Sequence, residues 1–183
     1  PEPEWAEGVQ DWATSTQYTL STQSRNQIRP LALSVLLRHM SLQIRYNRST
    51  LASAEGTGSD LPMPQRLDDQ LRGILSTNLD SSSELNPAVR YVYGQYLPTL
   101  YRLDPEWTAQ NIDHIFPDSV DIGSVGLYVA AWEGFILNRQ YIGNPDFMAL
   151  LRPKYLRAIA YLAAGNFATS FDLVRNFADH AIG

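Results

Sequence analysis

The chain has 183 residues, enough for one domain with a sizeable core, and its 44% hydrophobic and 18% charged content is that of a globular protein. A net charge of −5 argues against general nucleic-acid binding, which wants a basic face. The absence of cysteine excludes disulfides, thiolate nucleophiles and Cys-ligated zinc, and fits a reducing, cytoplasmic compartment.

No apolar run approaches the roughly 18 residues that cross a bilayer. The longest, near Leu31–Leu37 and Leu156–Ala164, are too short. The opening shows no signal-peptide pattern, and it starts at Pro1 rather than Met, as expected of a piece of a longer protein.

Trp5, Val9 and Trp12, at spacings of four and three, suggest a short helix behind the Pro1-Glu2-Pro3-Glu4 leader. Ser15 to Ser24 reads as a loop. Gln27 to Arg48 is the strongest helix, with Asn26 as cap and Pro30 in the first turn. Its apolar residues, from Ile28 and Leu31 to Ile44 and Tyr46, cover most of the circumference. Ser34, Arg38, Ser41, Arg45 and Arg48 form a narrow polar stripe. Such a helix is expected to be central and contacted from several sides, with His39 a hydrogen-bonded core residue.

Leu51 to Pro64, LASAEGTGSDLPMP, reads as a surface loop. Its Gly56-Thr57-Gly58-Ser59 has no preceding strand and no following Gly-Lys-Ser/Thr, so it is no phosphate loop. Gln65 to Leu79 reads as a helix with Leu67, Leu71, Ile74 and Leu75 on one face. Asn86-Pro87, Asp104-Pro105 and Asn144-Pro145 each join a capping side chain to a proline at the first helical position. They predict helices from Pro87 to about Leu103, with a kink at Pro98, from Glu106 to Ile115, and from Pro145 to about Ala164. Between the last two, Ser124 to Arg139 forms a further helix after a turn at Phe116 to Gly123. Gly165 is a C-terminal stop, and a last helix is expected from Ala168 to His180.

No segment alternates with period two. The expected fold is therefore all-α: one domain over residues 1–183, an irregular array of six to eight helices arranged as α-solenoid-like stacked hairpins.

Few residues suggest chemistry. His114 among Asp113, Asp118 and Asp121 is the candidate metal or acid–base cluster, although a second His of the usual zinc set is missing nearby. Acids there also suit a helix start, and His180 beside Asp179 suits a helix end. Arg38, Arg45 and Arg48 are candidates to meet an acidic partner or phosphates, or to pair with acids of the same chain. Trp107 and Trp132, with Tyr93, Tyr96 and Tyr128, are packing anchors by default and interaction hot spots if exposed.

The segments LDPEWTAQNIDHIF, AAWEGFI and LLRPKYLRAI resemble a helical region of very large bacterial proteins, among them multidomain NTPases and sirtuin-like proteins implicated in phage defence. The matching residues are Leu103, Pro105, Glu106, Trp107, Phe116, Pro117 and Ala130 to Phe135, within a stretch running from about Pro87 to Ala160. The resemblance implies a non-enzymatic helical scaffold, interaction or sensor module beside a catalytic domain lying elsewhere in the parent chain. No cofactor is expected, and the partner would be a protein or that flanking domain. The alternative is a small helical enzyme or metal site built around His114.

Overall fold

The structure, a computed structural model, describes residues 24–54, 67–80, 85–118, 122–137 and 144–165, with backbone alone for 44–54 and 122. Six helices of nine residues or more run through them, and no strand occurs among the described residues. They are α1 (Ile28–Ala54), α2 (Asp69–Thr77), α3 (Pro87–Leu103), α4 (Pro105–Ile115), α5 (Ile122–Leu137) and α6 (Pro145–Ala163). The expected helices around Trp5 and from Ala168 to His180 lie outside the described residues, as do residues 55–64 of the expected 51–64 loop with the whole Gly56–Ser59 stretch; its first four residues, Leu51 to Ala54, instead extend α1.

Three of the four expected caps, Asn86, Asp104 and Asn144, are where the sequence puts them. Asn86 Oδ1 accepts from the Ala88 amide at 2.9 Å, Asp104 Oδ1 from Trp107 at 3.0 Å, and Asn144 Oδ1 from Asp146 and Phe147 at 2.9 and 3.1 Å. Each satisfies a donor that the first turn leaves unpaired. Asp68 caps α2 in the same way, so that helix starts later than its apolar pattern suggested. Gly165 adopts a φ of 74°, the left-handed conformation that closes α6. Both α3 and α6 continue through their internal prolines, Pro98 and Pro153. At the start of α1, Asn26 belongs to a preceding helical turn, and the Gln27 carbonyl accepts from Leu31 instead.

The centre of the molecule is the α3–α5 pair, not α1. In α3, Ala88 to Gly94, Leu97 to Leu100 and Leu103 are buried; in α5, Leu127 to Trp132 and Gly134 to Ile136 are buried. The two backbones touch at paired glycines. A Cβ on Gly94 would lie 1.8 Å from the Ala131 carbonyl oxygen, and one on Gly134 would lie 2.0 Å from the Tyr91 carbonyl oxygen. Only hydrogen at both positions permits this approach.

Helix α1 turns Leu33, Leu37 and Met40 into the core, with Leu36 partly buried against it and Ser34 Oγ 3.5 Å from Tyr96 Oη of α3, while Ile28, Leu31, Val35 and Leu42 are exposed. Its apolar residues thus divide between two opposite faces, and the core uses one. His39, expected in the core, is exposed.

Helix α2 is held by side chains that reach its C-terminal carbonyls from α3. Tyr93 Oη donates to Leu75 O at 2.7 Å, and the fully buried Arg90 donates to Asn78 O and Leu79 O at 3.1 and 2.7 Å. A cation at a helix C-terminus answers both the unpaired carbonyls and the dipole. Arg72 donates from Nε and Nη2 to Asp104 Oδ2 at 2.8 and 2.6 Å, tying α2 to the cap of α4. That carboxylate holds the Arg72 guanidinium above its ordinary pKa.

Candidate interaction surface

The interior is occupied by packing. Trp132 is fully buried, with ring centroids 4.6 Å from Tyr155, 5.1 Å from Phe116 and 5.4 Å from Phe135. Trp107 is 4% exposed, and its Nε1 donates to Ser76 Oγ at 3.1 Å. Both indoles are therefore core anchors in this structure. Neither ring is exposed on the folded surface. Their spacing could not separate the two roles, because a buried and an exposed aromatic stripe share one period.

The cluster around His114 is divided among ion pairs. Asp113 Oδ1 accepts from Lys154 Nζ at 2.5 Å, and Asp118 is paired with Arg157, which also donates to the Asp118 carbonyl at 2.8 Å. These contacts fasten α6 to the end of α4. Lys154, the chain's single lysine, is buried, and its carbonyl accepts from Tyr128 Oη at 2.5 Å. Burial pushes the Tyr128 phenol well above its usual range. His114 itself is exposed in the last turn of α4. Asp121 lies outside the described residues. Among the described residues, no group of three or more His, Cys, Asp or Glu side chains is disposed to hold a metal ion. The signal for this arrangement was present in the sequence: Lys154 and Arg157, three apart on one helix face, match two carboxylates five apart.

Glu133 was not singled out by its sequence context. It is half-buried in α5 beside Trp132, and loss of hydration raises its carboxyl from 4.5 to about 7. A lone glutamate in a helical stretch reads as surface, and only the packing around α5 reveals the burial.

The outside of the molecule is more distinctive. On α1, Ile28 is 86% exposed, Val35 61%, Leu42 54% and Leu31 44%. Their spacing of three, four and seven puts them on one stripe. Arg38, three residues after Val35 and four before Leu42, lies on the same stripe and is exposed. Arg38 therefore stands among aliphatic side chains rather than on a separate polar edge. Arg45 follows on the α1 backbone seven residues later; the side chains of Arg45 and Arg48 lie outside the described set. A second, shorter apolar patch is formed on α6 by Leu156 and Ile159. Scattered exposed aliphatics are ordinary, whereas an aligned row of four marks a surface that suits a partner. Among the described residues, no helix is long and apolar enough to cross a membrane.

No family model, curated protein or solved structure matches the chain.

Proposed function

We propose that this chain is a non-enzymatic helical scaffold, interaction or sensor module of a larger bacterial protein. It works in the cytoplasm and binds a protein partner or a flanking catalytic domain of the same chain. Its hairpins stack about the α3–α5 pair in the manner of an α-solenoid, leaving α1 and α6 with outward apolar faces. The observation that carries the reading is the exposed aliphatic row on α1, set against an interior whose aromatic rings pack on one another and whose buried Arg90, Asp104 and Lys154 all have partners. Stacked helical arrays bury a continuous core between neighbours and bind through the surfaces left over.

Photo-cross-linking tests this reading. A cross-linking amino acid is placed at Val35 on α1, at Ile159 on α6, and at the exposed Arg102 as a control, in cells of the source organism. The module reading expects a discrete product from Val35 or Ile159 and none from Arg102. Equal, diffuse labelling from all three positions contradicts it.

A further inference from the structure

We infer that the outer face of α1 is a seam for an acidic amphipathic helix of a partner protein. This rests on the interaction-module reading above and adds the face used and the chemistry of its partner. Ile28, Leu31, Val35, Arg38 and Leu42 follow one another at intervals of three, four, three and four, which is the a/d pattern of a heptad repeat. The row puts β-branched Ile28 and Val35 at a and Leu31 at d, the choice that favours a paired helix. It spans about 21 Å, from fourteen steps of 1.5 Å between Ile28 and Leu42, a length that a partner helix of four turns covers. The core contact of α1 uses the opposite side, Leu33, Leu37 and Met40, so among the described residues the seam residues Ile28, Leu31, Val35 and Leu42 stay outside the core.

The occupant's charge follows from Arg38, the d position between Val35 and Leu42. Arg38 is exposed and makes no ion pair among the described residues. A partner helix laid on the seam must supply a carboxylate opposite it, because a desolvated cation facing an apolar residue is costly. The wider sequence has the same sense. Residues 12–54 contain five arginines (Arg25, Arg29, Arg38, Arg45 and Arg48) and no Asp or Glu. Removing those five from the fourteen cations leaves nine against nineteen acids, a net charge of −10 for the rest of the chain. The stretch bearing the seam is thus the cationic part of an acidic sequence, a charge that favours acidic partners over basic ones.

Other occupants fit less well. A second α1 in parallel register would set Arg38 against Arg38. An anionic membrane would meet a seam without Trp or Tyr, the residues that anchor helices at lipid interfaces, on a protein otherwise strongly negative. Nucleic acid has no use for four aliphatic side chains.

The test uses two fluorescein-labelled helical peptides of about three heptads. Both carry Leu at a and d, with a Glu or a Lys respectively at the d position facing Arg38 and at the flanking positions. Fluorescence anisotropy with the 183-residue chain should show saturable binding of the Glu peptide, at least about tenfold tighter than the Lys peptide. Arg38→Glu should reverse that preference. Val35→Asp should remove binding with an unchanged melting temperature, since the site is exposed, while Ile159→Asp on α6 leaves binding intact. Equal affinity for the two peptides, no binding of either, or full binding by Val35→Asp overturns the seam. So does self-association of the free chain through α1, a cross-link from Val35 to another part of the same chain, or binding only to phosphatidylserine vesicles. A discrete cross-link from Ile159 alongside any of these would leave the module reading standing while the seam falls.

Discussion

Adding one methyl group at Gly94 or Gly134 should reverse the usual effect of a Gly→Ala change in a helix. In an open helical position Ala is favoured over Gly by about 0.5–1 kcal/mol. Gly73 and Gly126 are such positions, with nothing within 4 Å of an added Cβ. At Gly94 the same atom would sit 1.8 Å from the Ala131 oxygen and 2.7 Å from its carbonyl carbon. Carbon and oxygen approach ordinarily to about 3.3–3.6 Å, so α3 and α5 must part by roughly 1.5 Å. The obstructing atoms are backbone, and no side-chain rotamer relieves them. Gaps of about 0.5–1 Å already forfeit a quarter to a half of a contact's attraction, and this crossing lies at the centre of the core. Overpacking of this kind costs about 1–3 kcal/mol or somewhat more. With the upper end of that cost and after the helical gain of Ala, Gly94→Ala should lose about 2 kcal/mol net. Gly134→Ala should lose a similar amount, and the double variant less than the sum, because one separation of the helices relieves both clashes. Urea unfolding followed by far-UV circular dichroism measures these three variants beside Gly126→Ala as the open-position control. If Gly94→Ala proves as stable as Gly126→Ala, the close crossing is wrong.

Trp132→Ala should cost about 3–5 kcal/mol, with Trp107→Ala near the lower end of that range, and calorimetry showing both melting temperatures nearly unmoved would contradict their burial. Glu133 has its folded pKa raised from 4.5 to about 7, so the folded state binds the proton more tightly and stability falls as pH rises through that window. Glu133→Gln should flatten the decline and raise stability at pH 8 by up to about 3 kcal/mol; a parallel pH profile for both proteins would refute the burial argument. Asp104→Asn keeps an acceptor for the Trp107 amide but not the charge facing Arg72, whereas Asp104→Ala loses both. Denaturant melts should therefore rank wild type above Asn and Asn above Ala, with the cap accounting for about 1 kcal/mol of the last step, and equal stability of Asn and Ala would remove the capping role.

Helix starts were the most legible feature of the sequence. Asn86, Asp104 and Asn144 before prolines are local signals, decided by groups within one turn, and all three cap as read. Which helix is central was not legible. α1 and α5 are both rich in apolar residues, but choosing between them depends on Gly94 and Gly134, forty residues apart, meeting across a crossing. A lone helical glycine reads as a small loss of propensity, and its role appears only when the facing backbone is known. The candidate site divided in the same way. Arg38 was visible as a candidate for an acidic partner, yet the aliphatic row it belongs to was assigned to the core. Hydropathy cannot say which of two apolar faces a neighbour covers.

The module reading is tested most directly by the reading frame on either side of Pro1 and Gly183. A helical module of a larger protein lies in a frame that continues into a further folded domain, such as an NTPase, nuclease or sirtuin-like unit, for which this helical array would be the partner-binding or sensing part. A frame that begins and ends close to these residues would contradict the module reading.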